Sequence, residues 1–471
     1  MKKILIPKLL ISDLEEAIVE YNGEIYGGLK IDVAFYFVSL LFSIPTYYRE
    51  TNNVTESVRL SSKRLKSVNY KYSEYLQFLM KYGFIEKINN YSTNNKTCNS
   101  YVIGDLYSGS ELIAYEITDK FLLRRFHRNG HSEAQFEKME HVLEIRPYLV
   151  ASFNDNLSIN TVAAKEEVFL YLEDNYYKYQ SASQLLLEWE NKEWSYSVKP
   201  KSDNRIHSTM TRTNKILRKH ISYNGISLGE VDIKTSQPFF LMAILNGVLR
   251  GDKSYLRDLG VMNVLEEEVL CNLLNLDLCA DNIALFTDVI LNGDLYKELV
   301  DCIPVVYEDN KPFRMVWPNG QYGVPKIPKF YDNERDLMKE IVLEVLNGSV
   351  KSRKTEVVAF KKLFPCIDMF LNCLSDNGVK VFNLLSNIEA YCLLDITGEY
   401  IANKHEGIPL FSIHDSLVST ENYLLTIKSE MEIVLEDITG YKPNLKVECW
   451  GRSHSLLQNE SLISHQKYIS S

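Results

Sequence analysis

Apolar residues recur at helical spacing over Ser61–Phe84, where Leu65, Val68, Tyr72, Tyr75, Leu76, Leu79 and Met80 share one side. The pattern predicts one helix that stops at Tyr82-Gly83, where glycine can take a positive φ. Phe84–Ile88 then reads as a strand, Asn89–Ser100 as a polar loop and Tyr101–Ile103 as a second strand. Residues 130–195 are helical by pattern and rich in Glu, Leu and Tyr. From 228 to 450 the pattern reads as alternating strands and helices. Pro312, Pro318, Gly320, Gly323, Pro325 and Pro328 interrupt it, so 307–333 is expected to be a long ordered loop, a common carrier of function. The tail after Trp450 is polar and expected to be loose. The longest apolar stretch, Val33–Ile44, is shorter than the roughly 20 residues of a membrane helix.

Bulk properties narrow this only a little. At 471 residues the chain can hold two to four packed units. Its 45% hydrophobic and 24% charged content excludes a disordered or fibrous class. The net charge of −10 confines any nucleic-acid site to a local basic patch. The eight cysteines form no Cys-x-x-Cys pair and no zinc spacing with histidines, so free thiols in a reducing compartment are expected. Proline breaks the N-terminal apolar run too early for a signal peptide, and a soluble cytoplasmic protein is expected.

Two stretches are locally basic. Lys63, Arg64 and Lys66 lie at the start of the first helix, with Lys71 after them. Helix, strand, polar loop, strand is the ending of a winged helix, which docks one helix in a DNA groove and lets the wing touch phosphates. A helix-plus-hairpin with a solvated basic face is the blander alternative. Residues 196–220 hold Lys199, Lys201, Arg205, Arg212, Lys215, Arg218 and Lys219, with His207 and His220, against the single acid Asp203. Flanking Ser, Thr and Asn make phosphate contact plausible there.

Three segments carry candidate chemistry. Gly229–Pro238 reads as a short apolar strand that ends in Asp232, then a turn, then a helix start at Gln237–Leu245. An aspartate there can hold a metal with help from a nearby backbone carbonyl, or simply cap the next helix. Pro409–Thr420 alternates apolar residues on both sides of His414-Asp415, which predicts a hairpin with the pair at its tip. Asn333–Gly348 reads as a helix with a capping start and a glycine stop. Arg335 and Lys339, four apart, project from one face and could clamp a triphosphate; alone they could equally be surface charges. Two aspartates at strand tips with a cationic helix are the parts phosphoryl transfer needs. That chemistry uses two metals about 3.5–4 Å apart and cations on the leaving pyrophosphate.

The order and spacing of these segments, over about residues 200–450, resemble the palm and fingers of family A DNA polymerases and phage-type single-subunit RNA polymerases. Asp232 is similar to the motif A aspartate, and His414-Asp415-Ser416 resembles motif C. Arg335-x3-Lys339-x7-Asn347-Gly348 resembles motif B, usually Arg-x3-Lys-x7-Tyr-Gly. Arg205-Ile206-His207-Ser208 followed by Asn214 is similar to the stretch that grips the template–primer duplex. Glu389 sits where the family contacts the duplex minor groove. The resemblance implies two Mg²⁺ ions, with Mn²⁺ able to substitute, held by Asp232, Asp415 and the carbonyl of Ile233. It implies nucleoside triphosphates bound by Arg335, Lys339, Leu343, Asn347 and Gln237. It implies a DNA template/primer duplex contacted by Arg205, His207, Asn214, His414, Ser416 and Glu389.

The departures bear on sugar choice. Asn347 replaces the family's tyrosine, Leu343 its aromatic, and Ser416 is the residue of the RNA enzymes. Gln237 stands where the DNA enzymes carry a glutamate that blocks a ribose 2′-hydroxyl and the RNA enzymes carry glycine. A glutamine is bulky enough to block it too, which favours DNA synthesis, as for a plasmid, phage or mobile element. The expected fold is α+β: a right-hand polymerase with an antiparallel palm sheet, helical fingers and thumb, and an N-terminal winged-helix-like domain. Its expected parts are residues 1–125 (winged helix), 126–198 (helical thumb or linker), 199–450 (palm and fingers) and 451–471 (tail). The alternatives are an RNA polymerase or primase-like enzyme, a DNA-binding initiator with a non-catalytic palm, and an untemplated nucleotidyltransferase. No membrane partner is expected, and protein partners are left open.

Overall fold

The strand Ile226–Ile233 organises the chain. It lies between Ser416–Thr420 and Leu445–Cys449, antiparallel to both. Its start forms a hairpin with Ile221–Tyr223, which pairs in turn with Leu157–Ile159, and Phe411–Ile413 closes the other edge of the sheet. The structure, a computed structural model, describes residues 2–24, 28–44, 57–91, 98–129, 133–200, 202–317 and 325–451. The tail from 452, residues 92–97 of the expected polar loop and residues 318–324 of the expected 307–333 loop lie outside them.

Alternation along the central strand explains its two faces. Val231 and Ile233 point into the larger apolar core, which packs the helix Leu424–Thr439 on the strand and also holds the helix Ser236–Arg250. That helix is buried nearly all round (Phe239, Phe240, Leu241, Met242, Ala243 and Ile244 are at most 1% exposed), which marks it as central. On the opposite face, Leu228 lies under a second apolar core, while Glu230 and Asp232 are only partly covered. One sheet face is therefore sealed, and the other is open only at the Asp232 end.

The fold is mixed α+β with antiparallel sheets. Between 236 and 404 it is helical except for strands within 306–330, rather than alternating strand and helix. The expected loop at 307–333 is a three-stranded sheet of Val306–Glu308, Lys311–Val316 and Ile327–Phe330. Pro328 occupies an edge strand of this sheet, where a missing N–H is tolerated, and Pro312 is the second residue of its middle strand.

The second core begins in the N-terminal unit. Lys2–Pro7 pairs with Leu112–Ile117 beneath the helix Ile31–Ser43. This helix is anchored by Asp32, whose buried carboxylate accepts from Tyr115 Oη (2.6 Å), Thr118 N (2.6 Å), Thr118 Oγ1 (3.1 Å) and Asp119 N (2.5 Å). The single helix expected over Ser61–Phe84 is two, Ser62–Val68 and Tyr72–Lys81. Asn69 makes the break: its side chain accepts from Lys71 N at 2.9 Å, a local bond that competes with the helix ladder. Val58–Arg59, Ser100–Ile103 and Ile85–Asn89 form a small sheet with Ser100–Ile103 in the middle. Gly83 takes φ 73°, as its position after the helix predicts. The same apolar core continues without a gap through Thr161–Phe169 and Tyr176–Glu190 to Leu228. Tyr179 Oη accepts from Leu112 N (2.8 Å) across this junction. Among the described residues no helix is long and apolar enough to cross a membrane. No disulfide joins any of the eight cysteines.

Candidate active site

The two aspartates meet at the open end of the sheet. Asp232 lies opposite Ser416 on one neighbour and Lys446 on the other. Asp415 precedes Ser416 in the two-residue turn that joins Phe411–Ile413 to Ser416–Thr420, the hairpin tip expected from the alternation. His414 takes φ 52° to make this turn, and Ser416 Oγ ties it by donating to Ile413 O (2.8 Å). Ser416 is thereby buried beneath the turn, not presented to a ligand.

The carboxylates crowd one another. Burial raises Asp232 from 3.8 to about 7, Asp415 and Glu230 add repulsion, and Lys446 and Lys339 oppose it. Glu230, two residues earlier on the same face, is raised by burial despite Arg218, whose Nη1 lies 3.5 Å from it. Burial would raise Glu448 too, but the ammoniums of Lys215 (2.6 Å) and Lys446 (2.7 Å) bring its carboxyl down to about 2. Two partly buried carboxyl groups brought this close are a cation site in the making. Oxygen-only donors of this kind suit Mg²⁺ or Mn²⁺. Asp232, Asp415 and the backbone carbonyl of Ile233 are the residues that could hold it. Among the described residues no cluster of three or more His, Cys, Asp or Glu side chains is arranged for a metal. Mg²⁺ is commonly held by one or two carboxylates together with substrate phosphates and water, so the donor set fits.

Opposite the aspartates stands the helix Glu334–Asn347, capped as expected by Asn333, whose Oδ1 accepts from Asp336 N (3.0 Å). Lys339 is exposed on it and acts electrostatically on Asp232. Arg335, one turn earlier, bonds Asp294 (3.0 Å) and lies 5.0 Å over the Tyr296 ring. Burial, Asp294 and the two aspartates push the Tyr296 hydroxyl up to about 12, with Arg335 opposing, so this phenol stays protonated beside the carboxylates. Leu343 is 40% exposed farther along. At the end of the helix Asn347 Nδ2 donates to Gln237 Oε1 at 3.4 Å. Gln237 occupies the first turn of Ser236–Arg250, which starts one residue before the expected point because Thr235 turns the chain at φ 54°.

The segment 203–207 forms a third wall. Arg205 bonds the fully buried Glu389 (Nε 2.7 Å, Nη2 2.5 Å), and Glu389 also accepts from Ser236 Oγ (2.6 Å). Burial raises Glu389 to about 7, Arg205 opposes, and Asp415 adds repulsion. Glu389 therefore faces inward and is closed off from solvent by Arg205 and Ser236. His207 pairs with Asp203 (3.0 Å). Partial burial of its ring and the cations of Arg205 and Arg218 lower His414, against Asp415. Arg146, 1% exposed, pins this wall from behind through Asp395 (2.5 and 2.9 Å) and Asn204 O (2.5 Å). Asn214 stands apart as a helix cap, its Oδ1 accepting from Ile216 N (3.1 Å). Sequence reasoning missed Lys446, Glu230, Tyr296 and Arg146. Strand alternation would have placed Glu230 on the face of Asp232, and Lys446 on the face of Glu448; Tyr296 and Arg146 carry no local signal.

Comparison of the chain with protein-family models and with curated proteins gives no match.

Proposed function

We propose that this chain is a template-directed nucleic-acid polymerase that adds nucleoside triphosphates to a 3′-hydroxyl, with deoxynucleotides as its substrates. The observation that carries the reading is the meeting of Asp232 and Asp415, with Lys339 acting on Asp232 from the helix that also carries Arg335. In this reading the sheet around Asp232 is a palm, Glu334–Asn347 belongs to the fingers, and the N-terminal helices and hairpin are a winged helix. Two helices before a hairpin suit that assignment better than the single helix expected from the periodicity.

Asp232, Asp415 and the Ile233 carbonyl would hold two Mg²⁺ ions, with Mn²⁺ as a substitute. When bound, the ions make the 3′-hydroxyl a better nucleophile and neutralise charge on the reacting phosphate. Lys339 and Arg335 supply cations for the pyrophosphate as negative charge builds there. Asp294 and Tyr296 hold Arg335 in place, so little ordering cost remains at binding. Gln237, steadied by Asn347, stands where a ribose 2′-hydroxyl would press against it. Arg205, braced by Glu389, and His207 face the primer–template duplex.

An incorporation matrix tests the reading: primed and unprimed template, dNTPs or rNTPs, each with Mg²⁺. Template-dependent dNTP addition that Asp415→Asn abolishes is the expected result. Incorporation of rNTPs alone would move the assignment to an RNA polymerase. Addition without template would make it an untemplated transferase, and inactivity would leave a DNA-binding initiator.

A further inference from the structure

We infer that the helices Ser62–Val68 and Lys120–Asn129 form a cationic ledge that grips the phosphate backbone of a nucleic-acid duplex without reading its sequence. Lys63, Arg64 and Lys66 are exposed on the first helix, and Lys120, Arg124 and Arg125 on the second. Neither helix contains an acid. The two are distant in sequence, and Arg125 joins them: its guanidinium donates to Ser67 O (3.1 Å) and to Val68 O, at the C-terminal end of the first helix. The acids at the edge of the ledge are already engaged. Asp119 pairs with Lys30 (2.6 Å), Glu74 pairs with Lys71 (3.5 Å), Glu116 faces Lys3 across the strand ladder, and Asp32 is buried. Arg64 bonds the Tyr36 hydroxyl, and Arg124 lies 5.9 Å over the Phe121 ring. Among the described residues no carboxylate pairs with Lys63, Lys66, Lys120 or Arg124.

The segment that is most basic in sequence is not the better grip. Within 196–220, Arg212 bonds Glu188 (2.6 Å), Lys215 bonds Glu448 (2.6 Å), Arg218 approaches Glu230 (3.5 Å) and Lys219 bonds Glu167. A cation so engaged must give up its carboxylate before it can take a phosphate. The helix Tyr72–Lys81, which a winged helix would lay in a groove, is no richer. Its one acid, Glu74, offsets its one lysine, and Lys81 lies over the rings of Tyr21 (5.7 Å) and Tyr82 (5.2 Å). The ledge therefore gathers cations on a chain of net charge −10, a local field suited to a polyanion. Phosphate contacts fix position and carry no sequence information. A lipid surface fits less well, because the exposed ring beside the ledge, Phe121, sits under Lys30 (4.7 Å) and Arg124 rather than standing clear to enter a bilayer. The choice of a duplex as the polyanion rests on the polymerase reading; the ledge itself does not.

The test measures binding without nucleotide. Fluorescence anisotropy follows the full chain on two blunt duplexes of unrelated sequence, from about 50 to about 200 mM salt. The two duplexes should bind alike, with affinity falling steeply as salt rises. Lys63→Ala with Lys66→Ala and Arg124→Ala removes three exposed cations. It should weaken both duplexes equally and flatten the slope of log affinity against log salt by about 2.7, or about 0.9 for each lost phosphate contact. Over that salt range the variant should then lose about 40-fold less affinity than wild type. Arg212→Ala with Lys219→Ala, from the internally paired run, should leave the slope unchanged. An unchanged slope in the triple variant overturns the ledge. So does a wild-type preference for one duplex that the triple variant loses, or binding to phosphatidylserine vesicles with none to duplex. Because the readout is binding, a chain that grips duplex in this way yet incorporates no nucleotide would sink the polymerase reading alone.

Discussion

Replacing Asp232 with asparagine keeps the side chain's shape and removes one charge from a crowded group. In the metal-free protein the ionised carboxylate bears the cost of burial and of repulsion from Asp415 and Glu230. A carboxyl raised from 3.8 to about 7 corresponds to about 4 kcal/mol, at about 1.4 kcal/mol for each tenfold change in proton affinity. Asparagine must itself be desolvated, so the expected gain in stability is smaller, about 1–3 kcal/mol at mildly alkaline pH. For a chain of this length that is a rise in Tm of about 1–4 °C. The pH dependence has a fixed sign. The folded Asp232 keeps its proton up to about pH 7, while the unfolded one releases it near 3.8. Unfolding between those values releases a proton, so Asp232 makes the wild type lose stability as pH rises through that window. The asparagine variant lacks this loss. Millimolar Mg²⁺ should raise the wild-type Tm and have much less effect on the variant. Activity should fall at least about 10³-fold. Differential scanning fluorimetry across that pH range, with and without Mg²⁺, reads all but the last. A variant no more stable than wild type, with the same Mg²⁺ response and retained turnover, would refute the reasoning.

Further outcomes follow from other contacts. Lys339→Ala should lower kcat/KM about 10²-fold in the incorporation assay while Tm holds, since this exposed cation braces nothing in the fold. Gln237→Gly should raise rNTP use relative to dNTP about 10- to 100-fold in competition assays, the range for a pocket that excludes by size. Arg205→Ala strands the buried Glu389 and should cost about 3 kcal/mol in urea denaturation, whereas Glu389→Gln should cost less. Asp32→Ala removes the acceptor of four hydrogen bonds and should cost about 3 kcal/mol by the same measurement.

The local readings that came through were those governed by neighbours in sequence. The His414-Asp415 hairpin tip, the Asn333 cap and the glycine turn at Gly83 each depend on a few adjacent residues, and each is where the pattern put it. The helix over Ser61–Phe84 misled because apolar spacing continues across Asn69, while one side-chain bond from Asn69 decides the backbone. The 307–333 segment misled because its prolines signal loop, whereas Pro328 sits on an edge strand and Pro312 near the start of the middle one.

Residue pattern alone therefore settled which side chains lie at strand tips and helix starts, since φ/ψ preference and period are local properties. It could not decide that Asp232 and Asp415 share one end of one sheet, or that Glu389 turns inward to brace Arg205. Nor could it show that Tyr296 stands beside both aspartates. Those outcomes depend on how strands distant in sequence pair and on which faces the two apolar cores seal. Burial and repulsion, which raise Asp232 to about 7, exist only once the chain has closed around it.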